Sequence, residues 1–249
     1  EYIKAHPEKN VSFFHTLLFF YFLQKRKNNT PIAYITKQKE FYGLDFQVTK
    51  DTLVPRPETE IMVELINNIL KKTKTNTILI DIGTGSGCIP ISMAKIQKNI
   101  TIFATDISKK ALYIAKRNAQ KHKVDLTFHH GNLLTPLLKN KNIWNTKNNI
   151  IITANLPYIT EKQFQDEPSI QKEPKQALVA DDNGLALYKE LLNQIKTLNN
   201  KDILLFIEID PMQTKLITTF IQNNFPKANI HIHKDLCGRD RIVEINVIN

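Results

Sequence analysis

The sequence predicts an α/β fold on a doubly wound, seven-stranded sheet that is mostly parallel with an antiparallel last strand. Three observations carry this. From residue 75 onward, short runs rich in Ile, Val, Phe and Thr alternate with amphipathic stretches, the pattern of strands joined by helical crossovers. The first run opens into a glycine-rich turn, and the second ends in an acid, Asp106. The last two runs are joined only by residues 234–241. That link is too short for a helical crossover, so they pair antiparallel.

The elements follow in order. Residues 1–29 read as a partial N-terminal helical domain. Phe13, Leu17, Phe20 and Gln24 keep helical spacing, while Phe14, Leu18, Tyr21 and Phe22 make the helix apolar nearly all round. Such a helix needs burial on more than one side. Its partners are expected in a segment outside this sequence, which opens on Glu1 rather than Met. Residues 30–60 form a connector. Apolar and polar residues alternate over 40–48 on either side of Gly43, the pattern of a short β-hairpin. Pro55 and Pro57 then fix an extended segment. A helix follows from near Glu58, with Ile61, Met62, Leu65, Ile66, Ile69 and Leu70 facing inward. In the main domain, residues 61–249, strands are expected at 77–82, 101–105, 126–130, 150–154, 203–209, 230–233 and 242–247, with helices between the first five.

Composition removes several classes. With 42% hydrophobic and 23% charged residues in 249, disordered, collagen-like and coiled-coil readings drop out. Two cysteines, Cys88 and Cys237, cannot build a disulfide framework or a four-ligand zinc site, so a reducing cytoplasmic compartment and no metal are expected. The most apolar run, 11–23, is shorter than the roughly 20 residues of a membrane span. The net charge is +10, from 34 Lys plus Arg against 24 Asp plus Glu. A surplus of this kind suits a polyanionic partner such as RNA, but the lysines are scattered among abundant asparagines and read equally as a biased, soluble surface.

Gly83-Thr84-Gly85-Ser86-Gly87 follows the first strand and opens a helix. Its glycines let backbone pass close to a ligand, with helix N-terminal amides aimed at it. The spacing is G-x-G-x-G, not that of a pyrophosphate binder, and a P-loop lysine is absent. A plain tight turn has the same look. Asp106, about 20 residues on, puts a carboxylate beside a ribose; a helix cap is the competing use. NAD and S-adenosylmethionine both carry such a ribose, and this pair does not choose between them. After the third strand, Asn132 can bond an adenine amino group and Leu133 can pack on its face, although an ordinary polar turn fits as well.

The fourth strand ends in Asn155-Leu156-Pro157-Tyr158, which suits a planar NH₂ group attacking a methyl sulfonium. An amide or aromatic amino nitrogen is a poor nucleophile because its lone pair is delocalised. The Asn155 carbonyl can accept one N–H and the Leu156 backbone carbonyl the other, which holds the nitrogen as positive charge develops. Pro157 fixes the backbone, and Tyr158 can lie flat on the substrate plane. The Asn155 NH₂ is expected to donate to the substrate carbonyl. Because only the carbonyl of Leu156 is needed, proline is expected to be tolerated there.

These motifs resemble the PrmC/HemK family, the protein-glutamine methyltransferases that modify class-I peptide chain release factors. The most specific likeness is in the connector: 31–35, 40–46 and Leu53-Val54-Pro55-Arg56-Pro57-Glu58-Thr59-Glu60, which is similar to the family's P-R-P-[ED]-T-E signature. Glu173-Pro174, Ala177-Leu178 and Gly184 resemble its segment after the catalytic loop. The resemblance implies the seven-stranded class I S-adenosylmethionine-dependent methyltransferase sheet, with S-adenosyl-L-methionine held by Gly83, Thr84, Gly85, Ser86, Gly87, Asp106, Asn132, Leu133 and Asn155. It implies that Asn155 to Tyr158, with Arg56 and Glu58 at the mouth, receive the glutamine of a release factor's Gly-Gly-Gln loop, the factor being free or on the ribosome. A monomer without membrane attachment is expected. The sequence departs from the family pattern at Leu156, usually proline, at Lys37, usually glycine, at Asn132, commonly aspartate, and at Asp210, usually the glycine of Glu-Ile-Gly. Asn-Leu-Pro-Tyr is also carried by rRNA adenine dimethyltransferases, so an RNA or DNA adenine methyltransferase is the alternative, and nucleic acid is a partner only in that reading.

Overall fold

The computed structural model describes residues 12–73, 75–144, 148–198 and 202–248. Ser12 caps helix α1 (Phe13–Lys27) by accepting from the His15 backbone N–H, and Lys25, Arg26 and Lys27 occupy its last turn, where cations suit the helix dipole. None of its side chains is buried; Phe13 is 79% exposed, and Phe14, Leu17, Phe19, Phe20 and Tyr21 are exposed too. The burial that its composition calls for is therefore not found among the described residues. Residues 1–11 of the expected helical domain lie outside them.

The connector begins with the short helix α2 (Ile32–Thr36), which ends on Lys37 in the left-handed conformation, φ 59°. Glycine adopts that conformation without strain, which accounts physically for the family's usual residue there. Strands β1 (Gln38–Phe41) and β2 (Leu44–Gln47) pair antiparallel, and Tyr42 and Gly43 turn the chain with φ of 50° and 72°, both positive as in the primed turns that match strand twist. Phe41 and Phe46 are buried and meet edge to face at 6.1 Å. They share a core with helix α3 (Glu60–Leu70) and one face of the main sheet. On α3 the buried set is Met62, Val63, Ile66 and Leu70. Ile61, Leu65 and Ile69 are only partly buried, because the stripe facing the sheet is rotated toward Val63 relative to the expected one.

The main sheet is built from β3 (Thr77–Ile82), β4 (Ile100–Asp106), β5 (Thr127–His130), β6 (Asn149–Ala154), β7 (Ile203–Glu208), β8 (Asn229–Lys234) and β9 (Asp240–Val247), in the order β5-β4-β3-β6-β7-β9-β8. β9 pairs antiparallel with both β7 and β8, and the other pairings are parallel. Every residue of β3 is buried, as expected of a central parallel strand covered on both faces. The covering helices are α4 (Cys88–Ile96), α5 (Lys109–His122), α6 (Ala186–Lys196) and α7 (Thr214–Asn224). Each link between the first five strands holds a helix, as expected; between β5 and β6 it is the short helix Lys141–Trp144. Strand β3 leads outward to β4 on one side and has β6 on the other. The order reverses there, leaving a crevice at the strands' carboxyl ends.

Candidate active site

The glycine turn sits at that crevice. Gly83 has φ 68°, and a Cβ built on it would come within 2.9 Å of Leu156 Cδ2, so this position needs glycine for both conformation and space. The loop is clamped to the end of β4. The Thr84 N–H donates to the Thr105 carbonyl at 3.0 Å, and Asp106 accepts from the Gly85 N–H at 2.8 Å and the Ser108 N–H at 2.7 Å. Ser108, not Asp106, caps α5 by accepting from Ala111. Burial pushes the Asp106 pKa up, while the two amides pull it back. Beneath the loop, Asp81 is 1% exposed and accepts from the Thr153 hydroxyl at 2.7 Å. Its other oxygen makes no well-formed hydrogen bond among the described residues, although the Thr84 side chain lies near enough to favour the charged form, and desolvation raises its pKa to about 7. Asn118, fully buried on α5, bonds Gln47 on both backbone atoms and donates to the Ser86 carbonyl, so the hairpin and the glycine loop are fixed to each other.

Two cavities open here. One is lined by Arg56 and Thr59 of the connector, Gly83 to Ser86, Asp106, Asn155 and Pro157. The other is lined by Asn132, Leu133 and Leu156. Gly83, Pro157 and Gln176 border both. The structure thus brings most of the expected residues together. Gly87, Glu58 and Tyr158 line neither cavity. A Cβ on Gly87 would press on Ile91 and Ala115, so this glycine serves helix packing behind the loop. Asn132 donates to Glu190 at 2.6 Å, which fixes its NH₂ on α6.

At the end of β6, Asn155 Nδ2 donates to Thr59 Oγ1 at 2.9 Å and to Glu208 Oε2 at 3.0 Å. Both amide hydrogens are engaged, so the expected donation from this NH₂ to a substrate carbonyl is not available. Among the described residues no donor reaches Asn155 Oδ1. Tyr158 directs its hydroxyl to Glu208 Oε1 at 3.1 Å, bracing that carboxylate. The Leu156 N–H donates to the Tyr188 hydroxyl at 3.1 Å. That hydroxyl has one hydrogen and lies closest to the Glu208 carbonyl, with the Leu156 carbonyl at 3.3 Å, so the Leu156 oxygen keeps its capacity to accept. Glu208 is 1% exposed. Burial raises its pKa, opposed by the Thr59 and Tyr158 hydroxyls and the Arg241 guanidinium.

The cavity wall is closed by an ion pair. Arg56 Nη2 meets Glu173 Oε1 at 2.5 Å, and Glu173 Oε2 accepts from the Val54 N–H at 3.0 Å. Gly184, φ 80°, has no room for a Cβ because the Tyr158 carbonyl and the Gln213 amide crowd it, and Gln213 in turn donates to the Tyr158 and Asn183 carbonyls at 2.7 Å each. Asp210 caps the turn Pro211–Gln213, accepting from the Met212 N–H. Sequence reasoning missed Thr59, Tyr188, Asn118 and Glu208. For Glu208 a signal existed: it is the one charged residue in the apolar run 203–209, at a strand's carboxyl end, where a buried charge calls for partners.

Comparison with known proteins agrees with this geometry. A family described as a methyltransferase domain matches residues 73–239. The release factor glutamine methyltransferase of Enterococcus faecalis is 37% identical over 215 residues, covering 85% of this chain and 74% of that protein. The Staphylococcus aureus protein of the same name is 37% identical over 223 residues, covering 89% and 77%, and that of Flavobacterium psychrophilum is 36% identical over 230, covering 90% and 78%. Among solved structures, the human METTL16 catalytic domain in complex with a MAT2A 3′UTR hairpin superposes with TM-score 0.65 at 12% identity, covering 88% of this chain and 79% of that one. The ribosomal protein L11 methylase of Lactobacillus delbrueckii subsp. bulgaricus does so with TM-score 0.52 at 18% identity, covering 78% and 81%. At such identities these two speak for the fold alone, the class I S-adenosylmethionine-dependent methyltransferase sheet. The narrower assignment comes from the relatives above one-third identity, whose likeness extends through the connector as well as the sheet, and with them this chain belongs to the release factor glutamine methyltransferase family.

Proposed function

We propose that the chain transfers the methyl group of S-adenosylmethionine to the side-chain amide nitrogen of the glutamine in the Gly-Gly-Gln loop of a class-I peptide chain release factor. The observation that carries the reading is the pair of acceptors at the end of β6: Asn155 Oδ1, which no donor among the described residues reaches, and the Leu156 carbonyl, which shares the single Tyr188 hydrogen with the nearer Glu208 carbonyl. Asn155 keeps Oδ1 free because both its hydrogens are held, and the backbone carbonyl of Leu156 lies one residue on. A primary amide offers two N–H groups on one nitrogen, and two acceptors can hold both.

The residues present fit the cofactor. Gly83 brings bare backbone to the wall of both cavities, Asp106 has acceptor capacity beyond its two amide bonds, and Asn132, its NH₂ held by Glu190, can turn its carbonyl to an adenine amino group over Leu133. When bound, the cofactor supplies an electrophilic methyl on a sulfonium. Asn155 and Leu156 hold the amide nitrogen and draw on its N–H bonds, so that electron density is returned to nitrogen as it is alkylated. No prior deprotonation is required, because the nitrogen loses its proton after the methyl arrives. Arg56, Glu58 and Pro157 shape the approach of the substrate loop. In this reading the enzyme acts as a monomer in the cytoplasm, on the factor free or on the ribosome; no helix among the described residues is long and apolar enough to cross a membrane.

The test is mass spectrometry of a release factor incubated with the protein and isotopically labelled cofactor, beside an rRNA substrate. One added methyl on the Gly-Gly-Gln glutamine is expected. Label on rRNA adenine and none on the factor would overturn the reading.

A further inference from the structure

We infer that Glu208 is a positioning residue that sets the hydrogen-bond polarity of Asn155, and thereby makes the site select an amide nitrogen over a carboxylate; the inference rests on the function proposed above. The hydrogen-bond directions are fixed by chemistry. Three donors converge on Glu208, the Thr59 hydroxyl at 2.6 Å and the Asn155 NH₂ at 3.0 Å on Oε2 and the Tyr158 hydroxyl at 3.1 Å on Oε1, a set that the acceptor-only, ionised carboxylate receives in full. With its one hydrogen spent on Glu208, Thr59 can only accept from Asn155, which it does at 2.9 Å. Turning the Asn155 amide over would set Oδ1 against a carboxylate oxygen and the acceptor side of Thr59, with no hydrogen between them. Burial makes that loss expensive. Asn155 therefore presents an acceptor to the cavity.

The consequence is specificity. A glutamine amide brings the N–H that this acceptor needs. A glutamate brings none, and adds a negative charge close to the buried one on Glu208. Glu208 touches neither cavity itself, so it acts through Asn155. Glu208→Gln keeps the shape but removes the directionality, because its amide can donate as well as accept. Asn155 can then sit either way round and show the cavity N–H as often as oxygen.

The experiment compares wild type, Glu208→Gln and Thr59→Val in methyl transfer to a release factor, with its Gly-Gly-Glu variant as competitor and S-adenosylhomocysteine affinity measured alongside. Glu208→Gln is expected to lower kcat on the order of 100-fold, the usual cost of losing one preorganised electrostatic contact, to leave S-adenosylhomocysteine affinity within about twofold, and to narrow the preference for Gly-Gly-Gln over Gly-Gly-Glu at least about 10-fold, a buried polar mismatch being the source of such discrimination. Thr59→Val, which frees one Asn155 hydrogen without removing a charge, should shift both quantities the same way by less, and it decides the matter if Glu208→Gln does not fold. A fall in kcat with the glutamine preference unchanged, or full activity in both variants, overturns the inference while leaving the proposed function standing. A wild-type protein inactive on the Gly-Gly-Gln factor would instead remove the function itself.

Discussion

The Arg56 guanidinium meets the Glu173 carboxylate at 2.5 Å across 117 residues of sequence, tying the connector to the loop that follows β6. Both ends of this link border the same cavity, through Arg56 itself and through Pro174 and Gln176. The family resemblance placed Arg56 at the mouth of the pocket, facing the substrate. The structure gives Arg56 a structural duty as well, because the Glu173 side chain is 2% exposed and depends on it, while Arg56 is 31% exposed.

Arg56→Ala should accordingly reduce methyl transfer and also stability. Removing one partner of a buried pair leaves the other charge uncompensated, at up to 3–5 kcal/mol; the exposure of Arg56 and the remaining Val54 N–H bond reduce this to about 1–2 kcal/mol. Chemical denaturation is the check. The double variant Arg56→Ala/Glu173→Gln should recover part of the stability, and no recovery would show that the pair does not hold the two segments together.

Leu156→Pro is expected to be harmful in this chain. Proline keeps the carbonyl but removes the N–H that donates to Tyr188 at 3.1 Å, leaving a buried hydroxyl one donor short, and it also removes the side chain that packs beside Gly83. A loss of about 1–3 kcal/mol follows, measurable as a lower melting temperature. Unchanged stability would mean that the Tyr188 bond contributes nothing.

Asp81 should make stability depend on pH. Its pKa is raised by burial to about 7, whereas an unfolded aspartate titrates near 3.9. The folded state thus binds the proton more tightly. The contribution is fully present below about pH 4 and is lost as pH rises through 7, by an amount on the order of 4 kcal/mol. Asp81→Asn retains an acceptor for Thr153 and offers an N–H toward Thr84, so it should flatten this dependence and be more stable than wild type above pH 7. Parallel stability curves for the two proteins from pH 4 to 8 would refute the assignment.

The sequence showed the glycine turn, Asp106 and Asn155-Leu156-Pro157-Tyr158 because each is a local motif whose chemistry is written in adjacent residues. It also showed the β9 reversal, since an eight-residue link admits nothing else. Three things were not legible. The direction of the Asn155 amide depends on Thr59 and Glu208, which lie 96 and 53 residues away and meet it only through the sheet. The brace on Leu156 depends on Tyr188, buried on a helix whose periodicity marks it only as core. The facing of α3 depends on the hairpin phenylalanines packed against it, which a helical period alone does not locate.

The central claim is that Asn155 Oδ1 and the Leu156 carbonyl hold the attacking amide. It is tested most directly by the rate of methyl transfer from S-adenosylmethionine to a Gly-Gly-Gln release factor, measured for wild type and Asn155→Ala, with S-adenosylhomocysteine affinity as the control. The account predicts a loss of about 100-fold or more in kcat with cofactor affinity nearly unchanged. Transfer to glutamine by Asn155→Ala at close to the wild-type rate would contradict it.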